Sequence, residues 1–531
     1  MSTTKPTLIY RLAVVCIALG SIGSLPPKEL ENGEWVPLAY ERPISFQVPT
    51  PISSQVLKVT QTWAAARQTP LSHEPRLSLA AELLSANPDF QSPNLNRVRF
   101  YARYLGLSDG LIAVSHLQSS SSSNLDETVT AFLSSQFPTL VYNRVGIKVL
   151  SETNGLDVLF LFSRNHLDLS PVPAQLPRNT IINLQAQLRP PHHGLRQAVL
   201  VFSKPDGTIK RRTLKVKNGY LRTRLNTGPR SGILDVQLLL NLGHGPEISS
   251  QFSIGVGRTP FKKVTASVPA QPHSVNLQNT SRRLENLLTS HRKKHHLPPL
   301  SRSTILDKIA INHNIDMRKN QFFGHVSDRS GSVTDRLHSN GITFERVLEN
   351  IATGESIESI FEQWLHSPSH RQNLLDPFVT SCGVGVIVDT GAPHTPLTAV
   401  LVLTRLGEQG TDHQLRDRAY ELLSHSRSKT NAPPLRANPQ LEALAMAHSQ
   451  TMGSTKILDT THPYFGNLLD RIMRETHFSE SAADIYLTTN LESLTTSHHL
   501  DDVFEEVGVG VYRDLSQKNT PIWVTVIYAT P

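Results

Sequence analysis

The sequence predicts a multidomain protein in which a mixed α/β module is repeated and a separate β-sandwich lies between two of the copies. Three observations predict it. The 531 residues exceed the ~150 of a typical domain, residues in the C-terminal half recur at a constant offset, and the stretch before them alternates apolar and polar residues with period two. Hydrophobic residues at 38% and charged residues at 18% exclude collagen-like, wholly disordered and multi-span membrane proteins.

Residues 1–23 are predicted to be a secretory signal peptide. Lys5 and Arg11 precede an apolar stretch over 12–22, which is the order of such signals and is much shorter than the ~20 residues of a membrane-spanning helix. We therefore expect no transmembrane segment after cleavage, with an uncleaved anchor as the alternative. Attachment of lipid to Cys16 is disfavoured, because valines precede it where a lipoprotein signal prefers a small residue.

The cysteine content limits the chemistry. Cys16 and Cys382 are the only two, and cleavage of the signal would remove the first, so no internal disulfide is expected. A zinc site built on thiolates is excluded as well. Any metal site must use His, Asp or Glu side chains.

Residues 50–167 are predicted to be a degenerate copy of the repeated module. A Thr-Pro-Leu turn at 69–71 is followed by a helical run at 76–84 and by strands at 145–149 and 157–162. The alternative is an unrelated α/β domain, since a turn, a helix and a strand are common to many.

Residues 176–257 are predicted to form an immunoglobulin-like β-sandwich. Period-two alternation marks half-buried strands, and turn signals at short intervals separate them. The alternating apolar residues are Ile182, Leu184, Ala186 and Leu188, and later Val236, Leu238, Leu240 and Leu242. The following stretch, 258–280, has three prolines and no helical period, and is predicted to be a linker.

Two copies of one module are predicted, a well-formed copy at 281–405 and a degenerate copy at 412–531. Leu287, Leu288, Pro298, Pro299, Leu300, Ala310 and Met317 recur 135 residues later as Leu422, Leu423, Pro433, Pro434, Leu435, Ala445 and Met452. The Gly-Val-Gly-Val strand at 383–386 recurs at 508–511, where the offset has fallen to 125. The second copy is therefore about ten residues shorter.

The copy at 281–405 contains the residues with chemical potential. His325, Glu349 and His370 are each predicted to lie in a loop or at the start of a helix. Ser367 and Pro368 are predicted to begin the short helix that carries His370. His313 lies on the apolar stripe of a helix and is expected to pack at the edge of the core rather than to bind a ligand.

These motifs resemble the CAP superfamily, also called SCP domains, which comprises cysteine-rich secretory proteins, antigen five and pathogenesis-related proteins. The resemblance rests on Phe-Gly-His at 323–325, Glu-Asn-Ile-Ala at 349–352, Ser-Pro-Ser-His-Arg at 367–371 and Gly-Val-Gly-Val at 383–386, in the order of the bacterial branch. It implies an α-β-α sandwich with a cleft lined by two histidines and one or two acidic residues. The disulfides of many members are missing, as in bacterial relatives.

Carried over, the cleft holds His325, Glu349 and His370. The second acidic residue of many members has no clear counterpart, because Asp335 and Arg336 occupy the neighbourhood where it would lie. Two imidazoles and a carboxylate suit zinc with an open position for water. The alternative is a hydrogen-bonded His-Glu-His network without metal. In the last copy Asp484 stands at the numerical offset of Glu349, with His462 and His498 near the places of the two histidines, so we expect a weaker site there; the first copy has no matching histidine.

Two functions remain open. The first is an exported cell-envelope or extracellular protein that binds a lipid, glycan or protein partner; the second is a secreted metal-dependent hydrolase using the 281–405 cleft, with Glu349 as base. The chain has no Walker, Gly-x-Ser-x-Gly or His-Glu-x-x-His motif. Nucleic-acid binding is not expected, because the basic clusters at 210–212 and 292–294 lack interleaved aromatic residues and are interpreted as solvated faces.

Overall fold

The computed structural model describes residues 39–44, 50–86, 95–119, 124–137, 140–151, 155–258, 277–388, 397–462, 466–494, 498–513 and 521–531. The predicted signal peptide, Cys16 and most of the predicted linker lie outside these ranges. Within the described residues, no helix is both long enough and apolar enough to span a bilayer.

The first unit is a four-stranded sheet packed against helices. After the short strand β1 (Ala39–Tyr40), its elements are α1 (Pro51–Ala65), β2 (Ser72–His73), α2 (Pro75–Ser85), α3 (Leu95–Tyr104), β3 (Leu111–Ser119), α4 (Leu125–Gln136), β4 (Arg144–Ser151) and β5 (Leu156–Arg164). The strand order is β2-β4-β5-β3. Thr50 and Asn124 cap α1 and α4, each by accepting a backbone N–H bond.

The second unit consists of two sheets around a shared apolar core. Its strands are β6 (Leu167–Leu169), β7 (Val172–Pro173), β8 (Gln175–Leu176), β9 (Ile181–Leu188), β10 (Gln197–Ser203), β11 (Ile209–Lys215), β12 (Tyr220–Asn226), β13 (Gly232–Asn241) and β14 (Pro246–Val256). The sheet orders are β11-β10-β13-β14-β8 and β12-β9-β6. Because β6 belongs to one of these sheets, the predicted start at 176 is too late.

Strands β9 and β13 differ in how they bury their side chains. In β9 the apolar residues are buried and most of the polar residues between them are exposed, as the alternation predicts. In β13 Val236, Gln237, Leu238, Leu239 and Leu240 are all buried. The outer face of β13 is therefore covered by something outside the sandwich.

The middle unit has helices on both faces of a four-stranded sheet. Its elements are α5 (Leu277–Lys294), β15 (Ser301–Arg302), α6 (Thr304–Lys319), α7 (Val333–Ser339), β16 (Phe344–Gly354), α8 (Ile357–His366), α9 (Pro368–Leu374), β17 (Ser381–Val388) and β18 (Leu397–Leu406), with strand order β15-β17-β18-β16. Residues 277–280 are helical, so the predicted linker ends earlier than 280. Glu349 lies inside β16 and not at the loop or helix start that the sequence predicted.

The last unit has a sheet of the same order, β19-β23-β24-β22. Its elements are α10 (Asp412–Thr430), β19 (Arg436–Ala437), α11 (Pro439–Thr455), β20 (Thr461–His462), β21 (Gly466–Asn467), α12 (Leu468–Glu475), β22 (Glu480–Thr488), β23 (Glu506–Arg513) and β24 (Ile522–Thr530). Short 3₁₀ helices lie at His192–Gly194, Leu491–Leu494 and His498–Leu500.

Glycines let a helix pack directly on the sheet in the first, middle and last units. A Cβ at Gly383 would lie 2.2 Å from the α6 backbone, and one at Gly508 would lie 2.2 Å from the α11 backbone. At Gly146 it would lie 2.3 Å from the α2 backbone. The Gly-Val-Gly-Val pattern therefore marks the line of closest approach between helix and strand.

Buried arginines join the same parts of the middle and last units. Arg292 is fully buried and donates to the carbonyl oxygens of Pro298, Leu374 and Asp376. Arg427 donates to the corresponding carbonyls of Pro433, His499 and Asp501. The interpretation of the 292–294 cluster as a solvated face is therefore wrong for Arg292, although Lys293 and Lys294 are exposed.

Candidate functional site

The candidate site begins with a hydrogen-bonded pair, His325 and Glu349. His325 follows α6 in a loop, and its Nδ1 lies 2.9 Å from Oε1 of Glu349. The glutamate side chain is 2% exposed and the histidine side chain 27% exposed. The carboxylate thus lies beneath the imidazole and fixes its orientation.

Arg336 of α7 binds the second carboxylate oxygen of Glu349. Its Nη2 lies 2.5 Å from Oε2 of Glu349, and its Nη1 donates to the carbonyl oxygens of His325 and Gly331. Burial alone would raise the pKa of Glu349, but the hydrogen bond with His325 and the charge of Arg336 lower it below its ordinary value. Glu349 is therefore a buried carboxylate with both oxygens engaged.

His370 lies in the first turn of α9, as predicted. Ser367 caps this helix by accepting the His370 backbone N–H, and Pro368 is its first residue. Asn350 of β16 donates to the carbonyl oxygen of His370. Burial and the neighbouring His325 lower the pKa of His370 to about 3, so its imidazole is neutral at physiological pH.

His325 and His370 each keep at least one ring nitrogen for a ligand. Within the described residues no side chain or backbone group hydrogen-bonds Nε2 of His325 or the ring of His370. The described residues contain no group of three His, Cys, Asp or Glu side chains placed to hold a metal ion. His325 and Arg336 engage the two carboxylate oxygens of Glu349.

His313 supports the loop that carries His325. It is buried on α6, and its Nε2 lies 2.9 Å from the carbonyl oxygen of Gly324. His448 of the last unit makes the same contact, 3.0 Å to the carbonyl oxygen of Asp459, at the offset of 135. The expectation that His313 packs at the core edge agrees with this position.

Sequence reasoning missed the role of Arg336. The available signal was that an arginine stands in the neighbourhood where the resemblance places a second acidic residue. A buried arginine there needs a carboxylate partner, and Glu349 is the carboxylate that the structure supplies.

The last unit also has a histidine-carboxylate pair, but it lies on the other face of its sheet. Asp484 pairs with Val526 in the strand ladder, and Ala483 pairs with Ile527. Glu349 pairs with Val402, the counterpart of Ile527. Asp484 is therefore shifted by one residue relative to Glu349, and its carboxylate meets Nδ1 of His498 at 2.8 Å.

The expectation that Asp484 replaces Glu349 is thus wrong, because a shift of one residue turns a side chain to the opposite face of a sheet. The side chain of His462 lies outside the described part of the chain. In the first unit the same ladder position is taken by Val114. That unit therefore has no carboxylate where the middle unit has Glu349.

Two regions of the chain are similar to known proteins. Residues 276–402 and 420–528 match the cysteine-rich secretory protein family, CAP. The uncharacterized protein YkwD of Bacillus subtilis is 33% identical over 124 residues, which are 23% of this chain and 48% of that protein. The uncharacterized membrane protein YlbC of Bacillus subtilis is 32% identical over 176 residues, 30% of this chain and 51% of that protein. The chain thus spans about half the length of these curated relatives.

Among solved structures, an extracellular protein containing an SCP domain from Bacillus anthracis is similar with 23% identity, over 33% of this chain and 65% of that one, at a TM-score of 0.22. An outer surface protein of Borrelia burgdorferi has 23% identity over 25% of this chain and 99% of that one, at a TM-score of 0.23.

Proposed function

This chain belongs to the bacterial CAP superfamily through two regions of its C-terminal half, and we propose that it is an exported cell-envelope or extracellular protein that binds a ligand in the cleft of its middle domain. The solved structures that it resembles include extracellular and surface proteins. The partner is an envelope lipid, glycan or protein.

The observation that carries this proposal is the His325 imidazole held on a fully engaged carboxylate, with His370 on the adjacent helix α9. Glu349 and Arg336 hold the His325 ring in place from beneath, and Asn350, the neighbour of Glu349 in β16, donates to the carbonyl oxygen of His370. Side chains whose orientation is fixed before binding lose little entropy when a ligand arrives. Nε2 of His325 and the neutral imidazole of His370 offer nitrogen atoms for hydrogen bonding or for a divalent ion.

The hydrolase alternative is less well supported by the same contacts. A general base needs a carboxylate or imidazole within hydrogen-bond reach of the attacking water. Glu349 has an almost fully buried side chain, and both of its oxygens bond to protein groups. It is therefore poorly placed as the base that this hypothesis assigned to it.

Zinc binding by His325 and His370 is part of the proposal, with the remaining coordination positions left to water or ligand. Zinc would supply a Lewis acid to the bound group. In this arrangement Glu349 sets the tautomer of His325 and leaves Nε2 as the ligating atom.

Architecture is also part of the proposal. We infer that the first unit, 50–167, is a third, degenerate CAP-like module, because its sheet has the strand order of the other two and its Gly146 contacts the helix as Gly383 does. We infer that the second unit is immunoglobulin-like, on the basis of its two sheets and shared core.

Two measurements test the function. Metal content and zinc titration of the secreted protein should show that His325→Ala and His370→Ala abolish uptake, while His366→Ala, at an exposed position on α8, leaves it unchanged. Uptake should weaken as pH falls, because a protonated imidazole has no lone pair left to bind a metal ion. Absence of zinc from the unsubstituted protein would remove the metal from the proposal.

The binding test uses sedimentation with isolated peptidoglycan and with anionic lipid vesicles. The unsubstituted protein should sediment with one of them, and the double variant at 325 and 370 should lose this retention while His366→Ala keeps it. Equal retention of all variants would contradict a role for the cleft.

A further inference from the structure

The β-sandwich packs directly on the element that carries His370. Gln237 on the outer face of β13 is fully buried. Its Nε2 donates to Oγ of Ser367 at 2.8 Å, and its Oε1 accepts the backbone N–H of Ser369 at 3.0 Å. The two serines of the Ser-Pro-Ser-His-Arg motif therefore bind the sandwich, with His370 next to them in the chain.

Further polar contacts fix the same junction. Arg371 donates to Asp235 of β13 at 3.2 Å, and Gln251 of β14 donates to the carbonyl oxygen of His366 at 3.0 Å. Nε2 of Gln237 also donates to Oε1 of Gln251. Because buried polar groups that are fully paired specify one geometry, this is a built interface between two domains.

The turn between β13 and β14 lies against the loop of the other cleft histidine. The carbonyl oxygen of His244 accepts the backbone N–H of Val326 at 2.9 Å, and Nδ1 of His244 lies 3.1 Å from the carbonyl oxygen of Val326. The His244 ring also stacks on Phe322, with centroids 5.1 Å apart. The sandwich turn therefore contacts the loop on both sides of His325.

Two glycines allow this close approach. A Cβ on Gly324 would lie 2.7 Å from the carbonyl oxygen of His244, and one on Gly245 would lie 3.0 Å from Cβ of His325. The glycine of the Phe-Gly-His motif is therefore needed for contact with the sandwich in this chain. The space beside His325 is shared between the two domains.

We propose that the sandwich turn 242–245 is the second wall of the cleft, so that the ligand site lies between two domains. Any ligand that reaches His325 meets His244 and Gly245 on its other side. This inference rests on the proposed function only for the statement that the cleft binds a ligand.

The test measures how accessible the cleft histidines are, without any ligand. Full-length protein is treated with diethyl pyrocarbonate, and the modification rate of each histidine is followed by mass spectrometry. His413 of the last unit, whose side chain is 69% exposed, is the internal reference. We expect His325 and His370 to react more slowly than His413.

Two variants should open the wall. Gln237→Leu leaves Ser367 and Ser369 without their partner, and Gly324→Ala forces the turn away from the loop. Each should raise the rates at His325 and His370 about tenfold, the factor that corresponds to ~1.4 kcal/mol, because the contacts removed are one or two buried hydrogen bonds. Gln187→Leu, at an exposed position on β9, is the matched control and should change neither rate.

Hydrogen exchange of β9 and β12 shows whether the sandwich remains folded in each variant. If Gln237→Leu unfolds it, Gly324→Ala, which lies in the other domain, decides the result. Rates at His325 and His370 equal to that of His413 in the unsubstituted protein would overturn the proposal, as would unchanged rates in a folded Gly324→Ala variant. Loss of envelope binding alone would bear on the proposed function and not on the wall.

Discussion

Acid should weaken the middle domain through His370. Burial and the neighbouring His325 lower its pKa to about 3 from 6.5. Between these values the unfolded chain binds a proton at this position and the folded domain does not. The free energy of unfolding therefore falls as pH decreases from 6.5 towards 3, and the stabilising contribution is complete only above pH 6.5.

The magnitude follows from the shift. One pH unit below the unfolded pKa corresponds to ~1.4 kcal/mol for one proton, so His370 should cost the domain up to ~2 kcal/mol at about pH 5. This is an upper value, because His370 as a residue is only half-buried. His370→Asn removes the titrating group and should make the loss of stability between pH 7 and pH 5 smaller by this amount.

Cys382 provides an assay specific to this domain. Cys382 lies on β17 and is 1% exposed, so its thiol reacts with an aromatic disulfide only after the middle domain unfolds. Pulse labelling during urea titration therefore reports the unfolding of this domain, in a protein in which the other cysteine, Cys16, is replaced by Ser. The free energy of unfolding is compared between pH 7 and pH 5 for the two proteins. His366→Asn, with a side chain 80% exposed, is the control and should keep the pH dependence of the parent. An unchanged pH dependence in His370→Asn would refute the reasoning.

Three further predictions concern packing. Arg292→Met should lower the free energy of unfolding of the middle domain by ~3–5 kcal/mol, and Arg427→Met should do the same for the last domain, since each leaves buried carbonyls without a charged donor; losses below ~1 kcal/mol in urea titration would contradict this. Gly508→Ala should destabilise the last domain by at least ~3 kcal/mol in hydrogen exchange of β23 and β24, because its Cβ meets helix backbone, whereas Gly194→Ala, with open space around it, should be neutral. Glu349→Gln should cost ~3 kcal/mol by the Cys382 assay, because it leaves a buried guanidinium without a carboxylate; an effect near zero would show that the pair contributes no net stability.

The sequence allowed good prediction of elements whose signals are local. The apolar stripe that carries His313 predicted α6, and Ser367 with Pro368 predicted the start of α9. The alternation in β9 also predicted its buried face. Each of these patterns depends on contacts within one turn of helix or between alternate residues of one strand. The match to the CAP family confirms the recognition that these motifs supported.

Residues whose role depends on distant contacts could not be predicted in this way. Arg292 reads as part of a basic cluster, yet its burial depends on carbonyl groups up to 84 residues away in the chain. Gln237 reads as a solvent-facing residue of β13, and only the docking of α9 buries it. Arg336 depends on Glu349, which lies on a different element. Periodicity carries no information about such partners.

The difference between Asp484 and Glu349 shows why numerical offset alone does not assign a site. The offset of 135 holds for the helices, where His313 and His448 make the same contact. In the edge strand the ladder places Ala483 at the position of Glu349, and Asp484 falls on the face that packs against α10. The Asp484 carboxylate therefore bonds to His498, which lies in the segment of the last domain that corresponds to the segment around His370. The last domain keeps a histidine and a carboxylate, His498 and Asp484, but they do not lie beneath the loop that follows α11. Among the described residues, the His325-Glu349-Arg336 arrangement is therefore found in the middle domain.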